Sequence, residues 1–381
     1  MNKKNGLSDL SVILKPLAMF LVLLVIWGIF HIVTEGTFLS VRNISNLFRQ
    51  MAVVGVLSIG MTICLIGGNF DLSVASIAGF TGAVCAVLVA KFSVNPLLAI
   101  GAAVLTGALI GFWNGVWIAY AGVPAFIVTL GSQLIFKGCL LLICNGQSIA
   151  VRDELFLTLG QGYMPILLGT VVCVAGAGIY IVLDIRRMKQ QKKLHVIESI
   201  GGTDIARWAM TAVIVGVFIM AMNCYKGIPI PVFVLLLLVV GFSFLLGKTK
   251  FGRHVYAIGG NARSARLSGI NGARVTLMIF SLVGMLSGIA GVLTTTRLAA
   301  ATQNAALGME LDAIAASVIG GVSLAGGSGK IANSILGALV MASLTNGMSL
   351  LDINSDIQFI VRGLILIIAV WFDVRMRKDN G

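Results

Sequence analysis

The glycine-rich segment Gly326–Ile331 is the part of this sequence that comes nearest to a phosphate-binding loop. A nucleotide-hydrolysing loop needs a glycine five positions before its last glycine, and a serine or threonine after its lysine to hold magnesium. Those positions hold Leu324 and Ile331. We therefore interpret the segment as a tight turn ending in Lys330, and we expect this chain to bind no nucleotide.

Other catalytic patterns are missing from the sequence as well. His31, His195 and His254 are scattered, and the six cysteines lie in or beside apolar stretches without metal-ligand spacing. The sequence contains no zinc-protease or nucleophile-elbow motif. A membrane-embedded enzyme would also need polar residues clustered at one depth, which the sequence does not show. We therefore predict that the chain is not an enzyme and holds no metal or cofactor.

Two cations interrupt otherwise apolar stretches, Lys137 and Arg362. Ionisable residues at such positions serve as proton or sodium relays in ion-coupled carriers, or they pair with a carboxylate or extend to the membrane surface. A stand-alone secondary (ion-coupled) sugar transporter therefore remains the alternative to a driven permease. The carboxylates lie in loops or at the ends of the apolar stretches.

The composition excludes an ordinary soluble enzyme. The chain has 381 residues, of which 58% are hydrophobic and 11% charged, and its mean hydropathy is +1.02; soluble domains carry about 25% charge. We predict an all-α polytopic membrane protein with about twelve spans, at 16–33, 51–67, 74–90, 96–119, 125–143, 165–183, 208–224, 230–247, 275–295, 311–326, 331–350 and 356–372.

Glycines spaced four apart occur in two of the predicted spans. They are Gly107, Gly111 and Gly115 in the fourth span, and Gly284 and Gly288 in the ninth. Such spacing allows two helix backbones to approach closely. The pattern predicts a compact helical core without indicating a function.

The net charge of +13 follows the predicted topology. With the N-terminus in the cytoplasm, 19 of the 27 lysines and arginines fall on the cytoplasmic side, six of them within 184–207. This positive-inside bias predicts that both termini are cytoplasmic. The excess of positive charge therefore indicates orientation, and we predict no nucleic-acid partner.

Two polar segments break the apolar pattern, one in each half of the chain. Gly67–Ser76 contains Asn69, Asp71 and Ser73, and Gly308–Ala316 contains Glu310 and Asp312. Glycines followed by an acidic residue predict a broken or re-entrant helix that restarts. In the predicted topology the two segments face opposite sides of the membrane, as an inverted repeat requires. Helix capping alone would also explain Asp71 and Asp312. We predict a third break at Thr345–Gly347, around Asn346.

A third informative stretch is the basic connection 251–270. Asn261 is a good N-cap, Ala262–Ser268 is long enough for two helical turns, and Gly269 can close them. Six basic and no acidic residues lie between 248 and 274. A capped helix in a connection suits docking onto a cytoplasmic partner, although a solvated helix without a partner fits the same residues.

Together these segments resemble a known family. Asp71–Val74, Gly259–Asn271, Glu310–Ala316 and Ser323–Gly327, in this order, are similar to the ribose/xylose/galactose-type permeases of bacterial ABC sugar importers, most of all to the xylose and multiple-monosaccharide permeases. The resemblance covers roughly 37–149 and 228–373. It implies one permease domain over 1–381: a ten-span core, 16–149 and 228–373, and an inserted span pair, 165–224, with the cytoplasmic loop 184–207.

Two residues depart from the family pattern. Phe70 stands where the family usually has isoleucine, and Ala75 stands where it usually has glycine. Phe70 adds bulk and Ala75 stiffens the helix restart. For this reason we do not assign the details of the family's substrate path to the segment around Phe70 and Ala75.

The resemblance also implies a function and partners. It implies a multi-pass permease subunit of the bacterial inner membrane that moves a monosaccharide such as a xylose-like pentose. A second permease copy (a homodimer), a periplasmic sugar-binding protein, and a cytoplasmic ATPase subunit that holds ATP and magnesium would complete the complex, surrounded by membrane lipid. The expected ATPase-docking residues are Gly260, Asn261, Ala262, Arg263, Ala265, Arg266, Leu267 and Gly269. The expected translocation pathway residues are Asn69, Asp71, Ser73, Glu310, Asp312 and Asn346.

Overall fold

A computed structural model describes residues 4–193 and 202–378 of the protein, and this part of the chain is almost entirely helical. Its α-helices are α1 (Lys4–Val33), α2 (Val41–Ile66), α3 (Val74–Ala90), α4 (Pro96–Ala119), α5 (Ala125–Cys144), α6 (Glu154–Gln161), α7 (Ile166–Lys193), α8 (Gly202–Asn223), α9 (Ile230–Lys248), α10 (Lys250–Gly260), α11 (Ala262–Leu267), α12 (Gly272–Leu298), α13 (Met309–Ile319), α14 (Ile331–Leu350) and α15 (Ser355–Lys378). A 3₁₀ turn, Thr37–Leu39, precedes α2, and two short strands, β1 (Ile149–Ala150) and β2 (Ala300–Ala301), complete the described elements.

The helices confirm an all-α polytopic membrane protein. Eight of them, α2, α4, α5, α7, α9, α12, α14 and α15, are long and apolar enough to cross a membrane. Shorter apolar helical stretches are Met19–Val33 in α1, Val74–Ala90 in α3 and Arg207–Asn223 in α8. These eleven stretches correspond to eleven of the twelve predicted spans.

The predicted span 311–326 differs from the structure. Helix α13 has only 11 residues and ends at Ile319, which is about 16 Å of helix against a hydrocarbon core of about 30 Å. The chain then turns through five glycines, of which four, Gly321, Gly326, Gly327 and Gly329, adopt positive φ. Glycine permits this backbone conformation at no steric cost. The sequence 311–326 therefore forms a half-length helix and a glycine loop.

Helix α2 is the centre of the bundle. Every residue from Met51 to Ile66 is buried, as expected for a helix that is apolar on all sides. It packs against α9, α12, α13 and α14. The structure thus buries α2 among helices from the second half of the chain, and the two halves share one core.

Helices α4 and α12 touch through the glycines that the sequence spaces four apart. A Cβ added to Gly107 would lie 2.4 Å from the carbonyl oxygen of Gly284, and one added to Gly111 would lie 2.2 Å from that of Phe280. Ordinary carbon contacts are about 3.5–4.0 Å. The backbones are therefore in direct contact, and the predicted close helix approach is confirmed.

The two breaks lie at opposite ends of the bundle. The first break, 67–73, joins α2 to α3 at the end that carries α10, α11 and the glycine loop 320–330; we call this the docking end. Helix α3 runs from there to the hairpin end, where β1 pairs antiparallel with β2, with Ile149 opposite Ala301. The second break, 299–308, begins with β2. Each half of the core therefore contains a long helix, a break and a restarting helix, placed at opposite ends as the predicted inverted repeat requires.

The inserted pair α7 and α8 forms a hairpin on the outside of the core. Asn223 Nδ2 donates to Thr170 Oγ1 at 2.9 Å, and the Phe218 ring contacts the Phe48 ring of α2 with centroids 5.2 Å apart. At the other end of the hairpin, Arg207 pairs with Asp184 at 2.6 Å. Part of the loop 184–207, residues 194–201, lies outside the described residues.

Candidate functional site

The first break holds a buried polar group around Asp71. Asp71 is fully buried, and one of its carboxylate oxygens accepts hydrogen bonds from the Ser73 backbone N–H (2.8 Å) and the Ser73 hydroxyl (2.5 Å). Asn114 of α4 donates to the same hydroxyl at 3.2 Å. The other oxygen of Asp71 has no hydrogen-bond partner in the described part of the chain. Asp71 therefore holds Ser73, the N-cap residue of α3, in place, and it also keeps one unused acceptor.

Asn114 was not among the residues predicted from the sequence. Its signal is a single side-chain amide inside the apolar stretch of α4, buried at the level of the first break. Conversely, the structure does not bring Asn69 to Asp71. The Asn69 side chain donates to the Gly67 carbonyl at 3.2 Å, and the neighbouring Phe70 is exposed.

The second break holds a larger polar group, which we call the second-break cluster: Gln133, Lys137, Glu310, Asp312 and Arg362. Asp312 is 3% exposed, and its carboxylate lies 3.5 Å from the Arg362 guanidinium. Gln133 Nε2 donates to the Glu310 carboxylate at 3.3 Å, and Lys137 Nζ donates to the Gln303 carbonyl of the break at 2.6 Å. Helices α5 and α15 thus hold the start of α13 from two sides.

The two cations of the predicted spans both act at the second break. Arg362 pairs with a carboxylate and also donates to Thr345 Oγ1 at 3.3 Å, whereas Lys137 binds a backbone carbonyl. These contacts agree with the pairing expected from sequence for Arg362. Gln133 was missed, because one glutamine four residues before a lysine gives no signal without knowledge of what faces it.

The predicted pathway residues do not form one site. Asp71 and Ser73 belong to the first break, whereas Glu310 and Asp312 belong to the second, where Glu310 contacts Gln133 in the middle of α5. One contact between the helices that flank the two breaks joins α2 to α13, where Thr62 Oγ1 and Ser317 Oγ lie 3.2 Å apart. Their role in a sugar pathway stays a prediction.

The expected helix break at Thr345–Gly347 is wrong. Helix α14 is continuous from Ile331 to Leu350. Asn346 and Asn43 of α2 exchange two amide hydrogen bonds, 2.8 and 3.1 Å long, and both residues are buried. Because these bonds pair the Asn346 amide within the protein, we interpret Asn346 as a residue that holds α14 against α2. In the sequence, polar residues next to glycine suggested a helix break. The partner Asn43 could not be identified from the sequence alone.

The predicted docking helix is present. Helix α11 spans Ala262–Leu267, and the Asn261 side chain accepts from the Ser264 backbone N–H at 2.9 Å. Gly269 has a φ of +79° and closes the turn. The helix is one residue shorter than predicted because Ser268 is its C-cap.

The predicted docking residues differ in exposure. Leu267 is 83% exposed, and Arg263 and Arg266 are exposed and form no ion pair among residues 4–193 and 202–378. Ala265 is buried within the chain. Its side chain therefore anchors α11 to the protein and is not available as surface for a partner, contrary to the expectation from sequence.

Helix α10 was not predicted, and it connects α11 to the core. Its Val255 is fully buried, and the Tyr256 hydroxyl donates to the Gly329 carbonyl at 2.7 Å. Burial raises the pKa of the Tyr256 hydroxyl. The signal in the sequence is the apolar spacing Phe251, Val255, Ile258, which is typical of one helix face.

Three backbone segments meet where α10 ends. A Cβ on Gly259 would lie 1.7 Å from the Ile66 carbonyl oxygen and 2.7 Å from the Gly327 nitrogen. Gly327 N–H itself donates to the Ile66 carbonyl at 2.8 Å. The end of α10, the end of α2 at the first break, and the glycine loop after α13 are therefore in direct contact.

Comparison with known proteins gives a consistent result. A family model described as branched-chain amino acid transport system / permease component matches residues 43–370. The xylose transport system permease protein of Haemophilus influenzae is 43% identical over 374 residues, which cover 97% of this chain and 98% of that protein. The corresponding protein of Escherichia coli (strain K12) is 41% identical over 99% of this chain and 95% of its own length. The ribose import permease protein of that strain is 32% identical over 88% of this chain and 87% of its own length. No solved structure matches the chain significantly.

Proposed function

The chain belongs to the family of transport-system permease components matched over residues 43–370, and from this premise we propose that it is the membrane permease subunit of a bacterial ABC importer for a monosaccharide. The similar proteins are transport permeases and not enzymes. The family description refers to branched-chain amino acids, but the relatives at 41–43% identity over nearly the whole chain are named for xylose. We therefore propose xylose, or a pentose like it, as the substrate.

The contact at the docking end is the observation that best supports a permease driven by another chain. In the proposed complex a cytoplasmic ATPase subunit, which holds ATP and magnesium, binds the exposed face of α11. Any movement of α11 acts on α10, whose end contacts both the end of α2 and the glycine loop after α13. One docking element is thus coupled to both halves of the core.

Coupling of this kind requires a difference in contacts. A partner shifts a conformational equilibrium only if it binds one conformation more strongly than the other. The contact of Gly259, at the end of α10, with Ile66 and Gly327 suits such coupling. It joins backbone to backbone, so no flexible side chain can absorb a displacement. We propose that ATP binding on the partner changes the angle of α10, and that the two breaks transmit this change to the sugar pathway.

The sugar pathway is proposed to begin at the second-break cluster. A neutral sugar needs hydrogen-bond donors and acceptors and no compensating charge. The Arg362–Asp312 pair balances its own charge, and Gln133 and Glu310 are only partly buried. With both termini in the cytoplasm, the hairpin end is periplasmic, which is where a sugar-binding protein would deliver its sugar. We propose that a second copy of the chain completes the membrane part of the complex.

Reconstitution tests the proposal. The chain is purified from its native membranes, co-purifying subunits are identified, and the complex is placed in liposomes with its sugar-binding protein. Labelled xylose uptake should require ATP on the docking side and should be insensitive to a proton ionophore. Competition by ribose and galactose then measures sugar preference. Uptake by the purified chain alone, without ATP and abolished by the ionophore, would instead establish the ion-coupled carrier.

A further inference from the structure

A cluster of cations lies at the hairpin end, beside the start of the second break and distinct from the second-break cluster. Arg49 of α2 donates through Nη2 to the Tyr163 hydroxyl, and its guanidinium lies 4.5 Å from the Tyr163 ring centroid. Lys226 Nζ lies 5.9 Å from the same ring. Arg297, in the last turn of α12, lies beside the same segment, because Gln161, two residues before Tyr163, donates to the Arg297 carbonyl. We call Arg49, Arg297, Lys226 and Tyr163 the basic cluster.

No carboxylate balances the basic cluster within the described residues, since none of its three cations forms an ion pair there. The Nε atoms of Arg49 and Arg297 are buried without a hydrogen-bond partner in the described part of the chain. A buried donor left unpaired is unfavourable, and more so when it is charged. Two guanidinium groups without a carboxylate favour an anion from outside the chain, and such an anion would bind their outer Nη groups, because the Nε atoms are enclosed by the protein.

Contacts with α6 and the residues after it hold the part of the chain that carries Arg297 and Tyr163. Gly160, near the end of α6, packs so closely on α12 that a Cβ there would lie 2.3 Å from the Arg297 nitrogen. Gln161 donates to the Arg297 carbonyl at 3.2 Å. Tyr163 accepts from Arg49 and from Ser45 Oγ, the latter at 3.4 Å, so its own proton remains free to donate. These contacts fix the backbone of Arg297 and hold the Tyr163 hydroxyl beside Arg49.

We propose that the basic cluster is a binding site for one phosphate-type oxyanion. Guanidinium groups bind such oxyanions through paired N–H donors with geometry that a lysine lacks. Arg49 and Arg297 would hold the oxygens, the Tyr163 hydroxyl would donate a third bond, and the exposed Lys226 would attract the anion. The phosphate group belongs either to a phospholipid headgroup of the adjacent leaflet or to free phosphate.

The variants Arg49→Gln and Arg297→Gln test the site, with Arg152→Gln, an exposed arginine at the same end, as control. Delipidated protein is titrated with phosphate against chloride at constant ionic strength, and its thermal midpoint is recorded. Native mass spectrometry measures retained phosphatidylglycerol. If the ligand is free phosphate, phosphate should raise the thermal midpoint of the wild type and of the control. If the ligand is a phospholipid headgroup, both proteins should retain phosphatidylglycerol. Both cluster variants should lose that response, with an apparent affinity at least tenfold lower.

The thermal midpoints of the variants without ligand distinguish a ligand-binding role of these arginines from a structural role. Because Arg297→Gln removes like-charge repulsion, its midpoint in phosphate-free, delipidated buffer should equal or exceed that of the wild type. A variant that is less stable in every buffer, and that responds to phosphate or retains lipid as the wild type does, would overturn the proposal. So would a wild-type protein that neither responds to phosphate nor retains the lipid. None of these readings requires transport, so they are independent of the proposed function.

Discussion

The buried pair Asp312–Arg362 offers a quantitative test of how the second break is held. The side chains are 4% and 12% exposed and 3.5 Å apart. At an effective dielectric constant near 20 the attraction at that distance is about 5 kcal/mol, partly offset by the cost of burying both charges. Removing one partner from a buried pair costs roughly 3–5 kcal/mol, because it leaves an uncompensated buried charge, whereas replacing both with uncharged residues of similar volume leaves none. The pair should therefore show strong coupling in a double-mutant cycle.

We expect Asp312→Asn to lower the free energy of unfolding by about 3 kcal/mol, near the lower end of that range, because Glu310 also lies near Arg362. Arg362→Gln should cost less, since a carboxyl group can bind a proton and a guanidinium cannot release one. The double variant should recover most of the loss. Reversible unfolding in detergent–SDS mixed micelles gives the four free energies, and Asp356→Asn, an exposed acid on α15, is the control.

Additive losses in the double variant would refute this reasoning, because they would show that the two side chains do not interact. Sugar uptake adds a functional reading. If the pair only fixes α13 against α15, the double variant should retain ATP-dependent uptake. If Asp312 carried protons, as in an ion-coupled carrier, the double variant would be stable but inactive.

Three further predictions concern helix packing and the docking end. Gly111→Ala should destabilise the protein by about 1–3 kcal/mol, because its Cβ would lie 2.2 Å from a carbonyl oxygen of α12. Gly101→Ala is the control and should not destabilise it, because the space beside Gly101 is open. Equal thermal midpoints for the two variants would contradict the α4–α12 contact. Leu267→Asp should uncouple ATP hydrolysis from sugar uptake without changing the thermal midpoint, and normal uptake would rule out α11 as the ATPase-docking helix. Ala265→Asp should also lower the thermal midpoint, because it buries a charge. Deleting 184–207 should leave ATPase co-purification intact, and its loss would count against α10 and α11 as the main dock.

Much of the fold could be predicted from the sequence because apolar length is a local property. Eleven of the predicted spans are apolar helices in the structure. The span 311–326 could not be recognised as a half-length helix, because its apolar residues continue past Ile319 while only the glycine conformations stop the helix. Local caps were also readable, as Asn261 and α11 show.

Contacts between distant segments could not be read from the sequence. Asn346 carries the same local signal whether it lines a break or binds Asn43, 303 positions away. The burial of Ala265 and the approach of Gly259 to Ile66 likewise depend on neighbours far along the chain. The sequence therefore locates the polar segments of the candidate site but not which of their side chains meet.

The glycine contact between α4 and α12 also bears on how the protein is made. Gly107 and Gly284 touch through their backbones, yet they are 177 positions apart. Ribosomes add about 5–20 residues per second, so α4 enters the membrane roughly 9–35 s before its partner is synthesised. During that interval its glycine face must be covered by lipid or by neighbouring helices of the nascent chain. Completion of the core is thus a late event in biogenesis, and the first half must persist in the membrane until α12 arrives.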